Sequence, residues 1–399
     1  MKVKKKKDFK EFRNNEKSAY KTFKIPLKTI LLNRDTIQPV INHLVFEMND
    51  LVIHTYQFIR LYVLDKYTKN QPLPTIDETF ILYCIKTLGT RDNRGKKGKD
   101  TELLELLDAF YKIEYQPLLN HPTSEEQKIV QELEKYGVAV TTLADLEIPH
   151  SDRFFLAAEN ISKELKSDAQ NPLYVGRHTL NINAEQIMRY PELFLWGADA
   201  KLLRIIENYL KLPVAYDGLS YYYSLPDGRE TGPRKWHQDK EDWQMIKVGV
   251  YINDVNEDGG PFECVTPEAN EFLCKTLKTQ SVRRYKTAFH QEIQEMLPEH
   301  MQGNWHKTCT GNAGTVIFVD TARYYHRGKP PTKFDRSAIF FGYCSRKPRH
   351  PFFCGRSPLS DEELRYMASL LPEDTRDCVT WRDRLTGLAK WIPKNRLRV

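Results

Sequence analysis

The feature that most constrains the fold is a series of short apolar segments between residues 218 and 346, each bounded by turn residues. "MIKVGVYIND" alternates cleanly, with Ile246, Val248, Val250 and Ile252 on one face, the period-two signature of a half-buried strand. "GLSYYYSLP" (218–226) is aromatic and β-prone, and "GTVIFVD" (314–320) and "RSAIFFGYCSR" (336–346) are buried-type runs. "NEDGG" predicts a hairpin turn leading into a short return strand, "PFECVTP". Many short strands with turns between them point to a β-sandwich or jelly roll. The stretch from about 268 to 305 reads as helical and interrupts the strands.

Helices flank this core. Ser124 with Gln127 predicts a capping box opening the helix "EEQKIVQELEKYG", which Gly137 ends, and "VAVTTL" follows as a strand. Ser360 with Glu363 predicts a second capping box, opening "DEELRYMASLL". Residues 1–24 read as a flexible basic tail. Residues 25–120 read as a helical module, on the three- and four-residue spacing of Ile41, Leu44, Val45, Met48, Leu51 and Val52 and on the amphipathic "TELLELLDAFYKIEYQPLL". The boundary falls near "LNHPTSEEQ", and residues 121–399 form the β domain with its C-terminal helices.

Charge divides along the same line. Residues 1–120 hold 22 Lys+Arg against 15 Asp+Glu, while the remainder balances at 38 of each. The excess concentrates in "KVKKKKDFK" and "RDNRGKKGK", an electrostatic footprint for nucleic acid or an anionic surface through residues 1–100, or else a solvated tail and loop. No apolar run approaches the ~20 residues of a membrane span. The basic N-terminus lacks the apolar core of a signal peptide, and the 7 cysteines form no C-x-x-C pair. The chain is therefore expected to be cytoplasmic, with free thiols rather than disulfides or a zinc ribbon.

The chemistry centres on "RKWHQDKEDW". His237 and Asp239 are two residues apart, and in a strand or tight turn they project to one side. A third ligand must come from elsewhere. His326 follows the core strand "GTVIFVD" and precedes "RSAIFFGY", where a side chain can project into a barrel mouth. Two histidines and a carboxylate on one face of an octahedron make the facial triad of non-haem Fe(II) oxygenases, with three open positions. Those positions suit a bidentate 2-oxoacid and O₂. The far carboxylate of 2-oxoglutarate needs a fixed cation, and Arg336, ten residues after His326, supplies a planar fork. His306 lacks a clear strand before it, His290 lies in a helical stretch, Asp242 is out of register with His237, and His43 and His54 sit in the helical module.

Taken together, residues 124 to about 350 resemble the Fe(II)/2-oxoglutarate-dependent dioxygenases, nearest to the phytanoyl-CoA dioxygenase-like group. The matching parts are Trp236-His237-Gln238-Asp239, Gly260-Pro261 before the return strand, "GTVIFVDTARYYHRG", and Arg336. The resemblance implies a mixed fold: a double-stranded β-helix (jelly-roll) core with flanking helices. It implies Fe(II) held by His237, Asp239 and His326, 2-oxoglutarate anchored by Arg336, O₂ as oxidant, and hydroxylation of an unidentified small molecule. Tyr221, Tyr223 and Trp236 line the co-substrate pocket on this reading, or pack in the core on the plainer one; one of Tyr324 and Tyr325 faces inward. Related halogenases replace the carboxylate with a small residue, and Asp239 argues for hydroxylation instead. Where the group often has P-G-S-H, this chain has Pro267-Glu268-Ala269-Asn270, so an acyl-CoA substrate does not follow. A degenerate oxygenase fold that binds nucleic acid through the basic N-terminal region is the alternative.

Overall fold

The computed structural model describes residues 120–280, 287–349, 351 and 353–385. The expected basic tail and, apart from Asn120, the helical module lie outside the described residues, as do the two lysine-rich clusters. Nine strands are described: β1 (Val138–Thr142), β2 (Thr179–Asn181), β3 (Val214–Ser224), β4 (Ile246–Tyr251), β5 (Phe262–Val265), β6 (His306–Cys309), β7 (Thr315–Asp320), β8 (His326–Gly328) and β9 (Arg336–Ser345). They form a six-stranded sheet in the order β1-β7-β4-β9-β3-β2 and a three-stranded sheet in the order β6-β5-β8. Every pairing is antiparallel.

The longer helices are α1 (Ser124–Tyr136), α2 (Ser151–Asp168), α3 (Ala200–Leu210), α4 (Pro267–Gln280), α5 (His290–Met296), α6 (Asp361–Ser369) and α7 (Glu373–Val379). Among the described residues, no helix is long and apolar enough to cross a membrane.

Strand alternation sorts the large sheet into two faces. Ile246, Val248 and Val250, with Val316, Phe318, Ile339, Phe341 and Tyr343, share one core with Phe154, Ala158 and Ile161 of α2 and Leu202 and Ile206 of α3. On the opposite face, Tyr251, Ile317, Val319, Ala338 and Phe340 share a second core with Phe262 and Cys264 of β5 and Cys309 of β6. The two sheets therefore face each other, and the helices back the larger one. That two-sheet antiparallel core is the part of the jelly-roll expectation carried by the described residues.

Two local expectations shift. The capping box of α1 starts one residue early: Thr123 and Glu126, not Ser124 and Gln127, exchange side-chain-to-backbone bonds. Tertiary structure decides the frame, because the buried Glu126 carboxylate also takes two hydrogen bonds from Arg204 of α3. Gly137 ends the helix as expected, at φ 73°, and the Ser360–Glu363 box forms.

The larger correction concerns "NEDGG". It is not a hairpin turn. β5 pairs with β6 and β8 and belongs to the other sheet from β4. The chain turns through Glu257–Gly259, passes Gly260 at φ 71°, and crosses over. Pro261 has no N–H to give a ladder, which disfavours a fold-back onto β4. The Tyr251 hydroxyl then bridges the sheets, accepting from Phe262 N at 2.8 Å and donating to Cys309 O at 2.7 Å.

Gly260 is the tight point of this crossing. A Cβ there would lie 2.5 Å from Lys329 O and 2.6 Å from Pro331 N, both backbone atoms that cannot swing aside. Gly260→Ala should therefore lower stability by ~1–3 kcal/mol, from positive φ and overpacking together. Equilibrium denaturation of the two proteins side by side measures it.

Candidate metal centre

His237 and His326 are bound to each other through their backbones. His237 N donates to His326 O at 3.0 Å and His326 N to His237 O at 2.9 Å, a reciprocal antiparallel pair. Residues so paired lie directly opposite and send their side chains to the same face. The two imidazole rings accordingly sit with centroids 4.3 Å apart. Asp239, two residues on, is held by its own N–H donating to Thr321 O at 2.8 Å. Its carboxylate oxygens lie 4.0 Å from His237 Nε2 and 3.9 Å from His326 Nε2. Among the described residues this is the one group of three such side chains whose donor atoms converge.

The ring orientations follow from hydrogen bonding. His237 Nδ1 lies 2.8 Å from Lys235 O, and His326 Nδ1 lies 3.1 Å from Tyr324 O. A carbonyl only accepts, so each Nδ1 carries the proton and each Nε2 presents a lone pair toward Asp239. This is the tautomer a metal ligand needs. His326 Nε2 is buried and has no hydrogen-bond partner. Such an orphan acceptor is costly unless something else engages it. Two imidazole nitrogens and a carboxylate oxygen fit a first-row divalent cation.

Electrostatics keep the set ready. Burial, then the neighbouring His237, hold the His326 imidazole well below its usual pKa, so it stays neutral. Burial opposes ionisation of Asp239, but Lys247, His326, Arg356 and His237 outweigh it and hold the carboxyl well below the usual range. Lys247, on β4, places its Nζ 2.5 Å from Asp239 Oδ2. Nothing in the functional reading of the sequence pointed to this residue. The available signal was a lysine inside the otherwise apolar "MIKVGVYI".

Arg336 opens β9 on the face that looks toward the small sheet. Its guanidinium donates to Gly260 O and reaches Ser224 Oγ at 3.4 Å. It also lies over Gly328, where a Cβ would come within 2.7 Å of Nη2. Gly328 is two residues past His326 on β8 and so on the same face, roughly 6.6 Å along the strand. Arg336 is buried, and burial pushes its pKa down to about 10.

Tyr221 and Tyr223 do not line this space. Both belong to the helix-facing core. Tyr221 Oη donates to Ala158 O at 2.8 Å and lies 2.7 Å from Ser337 Oγ, while Tyr223 Oη donates to Asp335. The strand's two-residue period is the reason: Tyr222, between them, packs against the inter-sheet core instead. Trp236 is fully buried beneath the small sheet, with its ring 4.8 Å from that of Trp305. Tyr324 joins the core between the sheets and Tyr325 the core beneath the small one.

The rejected candidates have other partners. Asp242 accepts from Ser345 N and Oγ and from Arg349 N. His306 pairs with Glu263 at 3.5 Å, and His290 packs on Trp305. Asn270, where the resembling group often has histidine, ties α4 to the segment that leads into His326 by donating to Arg323 O and accepting from Tyr325 N.

A largely buried ion network backs these three side chains. Arg327, next to His326, donates through Nε to Glu263 at 2.6 Å and through Nη1 to Glu230 at 2.8 Å. Its guanidinium lies 4.9 Å from the ring of Trp236, the neighbour of His237.

No family model and no curated protein matches the chain. Solved structures do. The chain is similar to SnoK, a non-heme alpha ketoglutarate dependent carbocyclase from nogalamycin biosynthesis, at 14% identity and a TM-score of 0.40, covering 62% of this chain and 94% of that one. It is similar to EctD from S. alaskensis with 2-oxoglutarate and 5-hydroxyectoine, at 17% identity and a TM-score of 0.39 over 61% and 88% of the two chains. HygX from Streptomyces hygroscopicus, with nickel and 2-oxoglutarate bound, is similar at 13% identity and a TM-score of 0.36 over 57% and 88%.

The backing network sets a pH dependence. Burial opposes ionisation of Glu263, but His306 and Arg327 more than offset it and lower its pKa to about 2. The unfolded value is ~4.3. A carboxyl depressed in the fold contributes stability that is fully present above the unfolded value and is lost as pH falls toward about 2. Glu263→Gln should cost ~3–5 kcal/mol at neutral pH by stripping Arg327 of a buried partner. Its deficit relative to the parent should shrink between pH ~4 and ~2, as denaturation curves across that range would register.

Proposed function

We propose that the protein is a non-haem Fe(II)/2-oxoglutarate-dependent oxygenase that hydroxylates a small molecule. The observation that carries this reading is the convergence of His237, Asp239 and His326, with two Nε2 lone pairs turned toward one carboxylate. Arg336 supports the co-substrate. A buried guanidinium one step up β8 from a ligand histidine leaves a span that a five-carbon diacid can bridge.

In this reading His237, Asp239 and His326 hold the ferrous ion. When bound, the ion supplies activation of O₂, coupled to conversion of 2-oxoglutarate to succinate and CO₂. The chain's own residues do the rest. Lys235 O and Tyr324 O keep the two Nδ1 protons in place, so Nε2 is the nitrogen each ring has left to offer the ion. Arg336 gives a bidentate fork to the distal carboxylate and fixes the direction in which the keto-acid lies. Phe262, whose ring stacks at 5.6 Å from that of His326, and the core between the sheets exclude water from that side.

Purified protein should convert 2-oxoglutarate to succinate only with Fe(II) present, and His326→Ala and Asp239→Ala should each reduce this to background. Arg336→Lys should keep the charge and lose the fork, raising KM for 2-oxoglutarate ~10- to 100-fold, the cost of one charge-assisted bond. Iron-loaded protein that neither binds nor turns over 2-oxoglutarate would overturn the reading.

A further inference from the structure

Arg356 reaches into the space between the two sheets, although it belongs to neither. The register of the large sheet shows where it enters. On the face that looks toward the small sheet, β9 carries Arg336, Ala338, Phe340 and Gly342, paired on β3 with Ser224, Tyr222, Ser220 and Gly218. Lys247 of β4 flanks Gly342 on the other side. Two of the three positions in that last row have no side chain, and the segment after β9 fills the gap. A Cβ on Gly342 would lie 2.8 Å from Arg356 Nε, and one on Gly218 would lie 2.6 Å from Ser357 Cβ. Arg336 and Arg356 thus mark opposite ends of one inner face, ~20 Å apart along β9.

The metal-ligating side chains lie between these ends. Lys247 Nζ is 2.5 Å from Asp239 Oδ2, which places that carboxylate over the Gly342 row, and Arg356 is among the cations that keep it ionised. Phe262, stacked on His326, also packs on Phe340, one row nearer Arg336. A keto-acid that bridges Arg336 and the metal occupies the Arg336 side and leaves Arg356 on the far side.

Arg356 is also not saturated. Its side chain is 2% exposed, yet only Glu241 is paired with it, through Nη2 at 3.2 Å, and its buried Nε has no hydrogen-bond partner among the described residues. A guanidinium carries five donors in a fixed fork, and a buried donor left unmade is costly. Arg234 shows the contrast: its two Nη groups reach four acceptors.

We propose that Arg356 is a substrate-binding residue that receives a carboxylate of the substrate, so that the oxygenase acts on a small organic acid. The inference rests on the function proposed above and deepens it by naming the substrate class. A guanidinium with donors to spare matches a carboxylate in geometry and charge. An acid held there, beside Asp239, presents its nearby carbons to the metal from the side away from Arg336.

The test uses Mn(II), which needs no turnover, and four probe acids, acetate, butyrate, hexanoate and benzoate, each beside its primary amide. Full-length protein is loaded with Mn(II) and saturating 2-oxoglutarate, so that Arg336 is already occupied, and paramagnetic relaxation of the probe protons is titrated. At least one acid is expected to bind near the metal, and its amide to bind ~10- to 100-fold more weakly, the worth of one charge-assisted bond. Arg356→Gln should reduce that acid to the level of its amide. Arg356→Lys keeps a cation beside Glu241, which protects the fold, and should weaken the acid ~10-fold while leaving the amide unchanged. Acids that bind no better than their amides, or that bind either variant as well as the parent, overturn the role of Arg356 and leave the metal site standing. Parent protein that binds Mn(II) no better than His326→Ala, or whose Mn(II) form takes up no 2-oxoglutarate, overturns the reading on which the proposal rests.

Discussion

The reciprocal backbone pair between His237 and His326 is the constraint on which the rest of the site depends. Two hydrogen bonds join segments nearly ninety positions apart and place their imidazoles on the same side. Everything else is adjusted to that pair. The carbonyls two residues upstream orient the rings, and Thr321 O fixes the turn that returns Asp239 beside them. Arg327 and Trp236, the immediate neighbours of the two histidines, stack on the opposite side. The donor set is thus gripped front and back, which is what a preorganised ligand constellation requires.

The site also concentrates buried charge. Asp239, Lys247, Glu241 and Arg356 lie near its floor, and Glu263, Arg327 and Glu230 behind it. A buried ion pair is a poor source of stability, since desolvation offsets most of its attraction. Here the pairs have a different use. They fix directions: Lys247 toward the Asp239 carboxylate, Arg356 over a glycine, Arg327 against an indole. The apolar cores of the two-sheet sandwich supply the stability that makes such placements tolerable.

Much of this was legible in the chain. The short alternating runs announced strands, and β4, β5, β7 and β9 formed where they were expected. His237, Asp239, His326 and Arg336 were singled out by spacing and by their places beside strands, and the fold brings the first three together. Two readings failed, and one residue went unread, for identifiable reasons. Periodicity could say that Tyr221 and Tyr223 share a face, but not that their face is the helical one. "NEDGG" has the composition of a hairpin turn, and only the pairing of β5 with β6 and β8 reveals a crossing between sheets. Lys247 was passed over because a single lysine in an apolar strand has no meaning until the side chain opposite it is known.

The sequence by itself determined which segments are strands and which side chains could serve as donors, because those are properties of local period and chemical type. Tertiary structure decided which face became the interior of the sandwich, which two histidines met, and which cation came to lie against Asp239. Those are matters of strand register and sheet pairing, set by the burial of surfaces contributed by segments far apart in the chain, and no local window contains them.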